Sequence, residues 1–143
     1  MISTYEEALS TKIHITDLVS IYQPLLANRW TLDIPMLGEN SLLKLQATKC
    51  EFSLVRKQLT CFVEQSILGH EYDEITRLAE QNTFTVKVHG VDGMLKPVHS
   101  VELLFSKLID HFIIYDYSKN AVLLHKLIFE FKQTNITKSA KSD

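Results

Sequence analysis

The stretch Thr83–Val98, TFTVKVHGVDGMLKPV, decides how this chain is read. Taken as a strand pair, Phe84, Val86 and Val88 alternate with Thr85 and Lys87, and Val91-Asp92-Gly93 makes the turn. Taken as a helix, Asn82 or Thr83 caps a run that reaches Lys96. Gly90 and Gly93 then cost about 1 kcal/mol each relative to alanine. Local propensity alone favours the hairpin. Two architectures follow: a mainly α chain, or an α+β chain with a hairpin over 83–99.

Around that stretch, apolar residues recur at helical spacing. Phe52, Val55, Leu59, Phe62 and Val63 fit the buried face of a helix that Gly69 would end. Glu71–Gln81 reads as another helix, with Glu71, Asp73 and Glu74 suited to the positive end of its dipole. Over Val101–Ile114, Ser100 is a fair N-cap and Leu104, Leu108, Phe112 and Tyr115 line one stripe. After a turn at Asp116–Asn120, Leu123, Leu124, Leu127, Ile128 and Phe131 form a further stripe. Towards the N-terminus, Ser3 and Glu6 make a capping-box pattern for a helix over about Thr4–Ser10. A second helix runs from about Thr16 to Leu26, with Pro24 shortening it. Arg29–Ile34 alternates weakly up to Pro35 and suits a strand or extended link, and Gly38-Glu39-Asn40 is a turn. Without a repeat or linker, 1–143 reads as a single domain, and 133–143 as a flexible polar tail.

The span 54–104 resembles the LuxR/GerE-type helix-turn-helix in a degenerate form. Leu54 with Lys57-Gln58-Leu59-Thr60-Cys61-Phe62 is similar to that family's first helix, and Gly69 stands at its inter-helix glycine. Glu74-Ile75 matches the Glu-Ile of the second helix, and Thr85-Val86-Lys87-Val88-His89 matches the Thr-Val-Lys-x-His signature of the recognition helix. Val98, Ser100, Glu102 and Leu103 resemble the closing motif, displaced by about one residue. The resemblance implies a mainly α fold, a helix-turn-helix core with additional N- and C-terminal helices. It further implies a transcription regulator acting as a dimer on double-stranded DNA, with Thr83, Thr85, Lys87, Val88, His89, Val91 and Lys96 as the DNA-binding residues. The sequence departs from the family where Gly93 replaces a buried isoleucine or leucine and Pro97 a packing leucine.

Charge bears on that function. The chain carries a formal net charge of −2, and between Glu51 and Asp110 six Lys/Arg face nine Asp/Glu. Phosphate neutralisation is what gives nonspecific DNA affinity, and this composition supplies little of it. The other reading is a non-enzymatic protein-interaction module: an adaptor, a chaperone, or an antagonist of another regulator.

Other chemistry is thinly represented. Cys50 and Cys61 read as half-buried core thiols in a reducing, cytoplasmic setting. His14, His70, His89, His99, His111 and His125 show no metal-ligand spacing, so no metal or cofactor is expected. No nucleotide fingerprint or paired-carboxylate pattern suggests an enzyme. The opening MISTYEEALS has neither a basic start nor an apolar run, so neither a secretory signal nor a membrane span is expected. Phe112, Tyr115 and Tyr117 read as core or interface residues, and the segment after Ser100 as completing the core or offering a dimer face.

Overall fold

The computed structural model describes residues 30–91, 97–118 and 121–137. The helices expected over Thr4–Ser10 and Thr16–Leu26 lie outside them. The described residues form seven strands: β1 (Trp30–Asp33), β2 (Ala47–Ser53), β3 (Gln58–Glu64), β4 (Phe84–Val91), β5 (Pro97–Ile114), β6 (Leu124–Glu130) and β7 (Gln133–Thr137). A 3-10 turn (Pro35–Leu37) and helix α1 (Leu42–Gln46) precede β2, and helix α2 (Glu71–Glu80) lies between β3 and β4. The mainly α expectation is therefore corrected: the chain is mostly antiparallel β.

The strand order is β1-β4-β5-β6-β3-β2, with β7 also on β5. β5 is the axis of the fold. Its first part pairs with β4 and β7, its second with β6. Between them Phe105 has φ 55°, and a two-residue step on β4, from Phe84 to Val86, faces a three-residue step on β5, from Ser106 to Leu103. This is a β-bulge, and it bends the strand. A second shift falls between Leu108 and Asp110. The buried Ser106 Oγ donates to the Leu103 carbonyl at 2.8 Å across the first bend.

These irregularities explain the misreading of 101–114. A regular strand turns every second residue inward. On β5 the inward positions are Val101, Leu103, Ser106, Leu108 and His111, opposite Val88, Val86, Phe84, Phe129 and Leu127. Each bulge lengthens one step from two residues to three, and the mixture imitates a helical period. The helix expected over 52–63 has another cause. Two strands and their four-residue turn together imitate one periodic run. Val55 lies in that turn, 93% exposed, while β3 itself alternates with Leu59, Cys61 and Val63 buried. On β6 the buried residues are His125, Leu127 and Phe129, and Leu124 and Ile128 lie on the outer face, so polarity and burial disagree. The polar stretch from Gln133 supplies β7.

Four local readings agree with the structure: the strand or extended link over Arg29–Ile34, seen as β1, the turn at 38–40, the helix from Glu71, and the antiparallel strand pair over 83–99, seen as β4 with the start of β5. Gly69 ends no helix. It sits at φ +73° in the turn before α2, a left-handed conformation that favours glycine.

One core joins the inner faces. Leu32, Val86, Val101 and Leu103 come from the first part of the sheet, and Leu59, Cys61, Val63, Leu127 and Phe129 from the second. Ile75 and Leu78 of α2 close it. Each such side chain contributes about 1.5–3 kcal/mol when fully buried.

Candidate functional site

The residues proposed for DNA contact do not lie on a helix. Thr85, Lys87 and His89 alternate outward on β4, Val86 is buried, and Val88 packs partly buried against the core. Thr83 is exposed just before the strand, Val91 is buried, and Lys96 lies outside the described residues. Lys87 Nζ is 3.5 Å from Glu102 Oε2, and Asn135 Nδ2 donates to Glu102 Oε1 at 3.1 Å. Asp33 is the β1 register partner of Lys87. His89 Nδ1 is 2.7 Å from Ser100 Oγ. The face is thus a cross-strand polar ladder in which carboxylates answer the lysine. Thr85–His89 lies on a strand, and among the described residues no recognition helix is present to enter a major groove, so the reading as a DNA-binding, helix-turn-helix transcription regulator is corrected. Lys87→Ala is expected to cost at most about 1 kcal/mol, the range of exposed ion pairs. Urea denaturation measures it, and a larger loss would mean the ladder carries stability the geometry does not suggest.

The exposed apolar residues are distributed differently. β3, β6 and the second part of β5 run antiparallel, so Glu64, Leu124 and Ile114 share one end of the sheet. Ile67, Leu68, Tyr115, Tyr117 and Val122 leave the strands at that end. Ile67 and Tyr117 are fully exposed, and Leu68 and Tyr115 mostly so. The backbone ties the two loops together, since Gln65 N donates to the Leu123 carbonyl at 3.0 Å. At the opposite end, the β2–β3 turn presents Leu54 and Val55, and the β5 bend presents Phe105. Phe131 N donates to the Lys57 carbonyl at 3.0 Å there. Scattered exposed apolar residues need no explanation, but clusters mark surfaces that something covers. The sequence reads Phe112, Tyr115 and Tyr117 as core or interface residues, and all three are exposed, so the core alternative is corrected. That reading missed Ile67, Leu68 and Val55, which it placed beside or on a helix.

Beneath the first end lies a polar cluster. His111 Nε2 is 2.8 Å from His125 Nδ1, with the rings stacked at 5.1 Å. His125 Nε2 is 3.0 Å from Gln65 Oε1, and the Tyr72 ring meets His125 edge-on at 4.7 Å. Glu71 is fully buried and accepts from Ser66 N at 3.1 Å and Ser66 Oγ at 3.0 Å. Burial alone would raise its carboxyl. Hydrogen bonds from its own backbone and from Ser66, with nearby His125, outweigh that and hold it below the ordinary range.

The thiols are free and face each other across β2 and β3. Burial, with Glu51 adding, pushes Cys50 up to about 11. Burial and then Cys50 raise Cys61 further. Neither is an activated nucleophile. Among the described residues no group of three or more His, Cys, Asp or Glu is placed to hold a metal ion, and no helix there is long and apolar enough to cross a membrane.

No family model matches the sequence, and no curated protein matches it. Solved structures do. A chain of the extracellular contractile injection system PVC sheath-tube complex aligns with a TM-score of 0.62 at 8% identity, covering 86% of this chain and 97% of that one. A chain of the anti-feeding prophage baseplate aligns at 0.57 and 12% identity, covering 84% and 99%. Hcp1 from Flavobacterium johnsoniae aligns at 0.56 and 8% identity, covering 76% and 94%. At these identities the likeness shows a shared fold, and that fold overturns the LuxR-type resemblance.

Proposed function

We propose that this chain is a structural subunit of a contractile injection apparatus, built to contact copies of itself or sister subunits rather than to catalyse a reaction. The apolar clusters at the two ends of the β5-β6-β3-β2 sheet carry the reading: they are chemically alike, lie at opposite ends and are left uncovered in the single chain. Joining one end to the other end of the next copy is a heterologous contact, which repeats into rings or stacks. The fold likeness supports the same reading by analogy. Burial raises both thiols, which suits a non-catalytic role.

The test is the mass distribution of the full chain against concentration, by light scattering and negative-stain microscopy. The wild type is expected to form multimers. Ile67→Glu blocks one end and Val55→Glu the other, and both positions are exposed enough to leave folding intact. Each variant alone should stay monomeric, while an equimolar mixture should form pairs and nothing larger, since only one end of each copy remains competent. A wild type that stays monomeric alone and with sister subunits, at concentrations well above those of folding experiments, would overturn the proposal.

A further inference from the structure

We propose that Cys50 and Cys61 form a redox-closed staple: a small-molecule disulfide in the surrounding solution joins them across β2 and β3, fixing the hairpin whose turn presents Leu54 and Val55. The bearing of the staple on assembly rests on the function proposed above. The staple itself rests on strand register.

The chain has two cysteines, and the fold sets them directly opposite each other. Both turn inward, Cys61 fully buried and Cys50 packed half-buried against the core. Opposed residues of an antiparallel pair have Cα atoms about 4.5–5.5 Å apart, inside the range of about 4.4–6.8 Å that a disulfide spans. Their Cβ atoms start about 4.5–5.5 Å apart and must close to about 3.5–4.5 Å. β2 has room for that small shift. It ends the strand order, β3 is its only strand partner among the described residues, and its register already shifts between Ala47 and Lys49.

The step runs by thiol–disulfide exchange. Cys50 is the half-buried thiol and is met first. Its thiolate attacks one sulfur of the small disulfide, forms a mixed disulfide and expels a small thiolate, which takes up the proton that Cys50 lost. Cys61 then gives up its proton, attacks the Cys50 sulfur and expels the second small thiolate, which takes up that proton. Two protein thiols are oxidised to one disulfide, and one small disulfide is reduced to two thiols. Burial raises both protein thiols, so closure is slow. The same property makes each sulfur a poor leaving group, so the closed bond resists reduction. The cross-link encloses residues 50–61, and with them the turn at 54–57 between β2 and β3. An apolar end ordered in advance loses less freedom when it is covered.

The experiment incubates the reduced full chain with excess glutathione disulfide at mildly alkaline pH, quenches samples in acid and maps them by mass spectrometry. A glutathione adduct at Cys50 should rise first and decay into a Cys50–Cys61 link within one chain, two hydrogens lighter than the reduced protein. Cys61→Ala should stop at the adduct, and Cys50→Ala should leave Cys61 unmodified. The wild-type order of adduct and link carries the test without either variant. In the closed form the β2 amides should exchange with deuterium about tenfold or more slower than in the reduced form, because the cross-link suppresses local opening of the hairpin. An adduct that persists at Cys50, links only between chains, or β2 exchange indifferent to closure would overturn the staple. The closed chain should form multimers at lower concentration than the reduced chain, and equal assembly would overturn the staple's part in it. Absence of multimers in both forms, with the link made and β2 protected, would count against the proposed function instead.

Discussion

Phe129→Ala is expected to lower the unfolding free energy by about 3–5 kcal/mol, the range for emptying a buried aromatic site. Phe129 is fully buried on the inner face of β6, between Leu59 of β3 and Leu108 of β5 in register. Its ring meets Phe84 edge-on at 5.8 Å, so it joins the two parts of the sheet on either side of the β5 bend. Both neighbours are held by strand pairing, and the cavity cannot collapse without breaking register. Urea denaturation reads the change as a lower midpoint at constant slope. A loss below about 1.5 kcal/mol would place Phe129 outside a rigid core.

Glu74→Ala is expected to cost about 2–3 kcal/mol, a figure built from charged hydrogen bonds and the loss of a helix cap. Glu74 lies on α2, yet its partners are at the start of α1. Its carboxylate accepts from Leu42 N at 2.8 Å, Leu43 N at 3.1 Å and Ser41 Oγ at 2.9 Å. Ser41 Oγ in turn accepts from Lys44 N. A five-residue helix is too short to persist unaided, so removing the carboxylate strands two backbone donors and the Ser41 hydroxyl and frees α1 from α2. Ser41→Ala should cost less, and the double variant should cost less than the sum of the two, because both act in one network. Additive losses would show that Glu74 and Ser41 cap independently.

Both experiments turn on residues whose meaning in the sequence differs from their meaning in the fold. Glu74-Ile75 matched a helix-turn-helix motif, but Glu74 caps another helix and Ile75 fills a β-rich core. Thr85, Lys87 and His89 matched the same motif, and their spacing of two is simply the outward side of a strand. Motif residues chosen at short spacing are cheap to match by chance, since outward strand positions are polar for the same reason as outward helix positions. Sheet parity in Thr83–Val91 was legible, as were the apolar stripe and acidic first turn of α2. The candidate site was legible only in part: Phe112, Tyr115 and Tyr117 read as core or interface, with Tyr115 on a helical stripe, while Val55, Ile67 and Leu68 were absorbed into helical patterns.

The sequence by itself determined what depends on near neighbours: the turn at 38–40, the helix from Glu71, the short strand before Pro35, and the alternation over 84–88 that favoured a hairpin. Tertiary structure alone decided the rest. β5 is a strand because β4, β7 and β6 satisfy its backbone along its length, and two bulges absorb the residues that break its alternation. Strand pairing joins residues far apart in the chain, so its stabilisation is invisible to any local window. The same pairing brought His111, His125 and Gln65 within hydrogen-bonding distance and left apolar side chains exposed at both ends of one sheet.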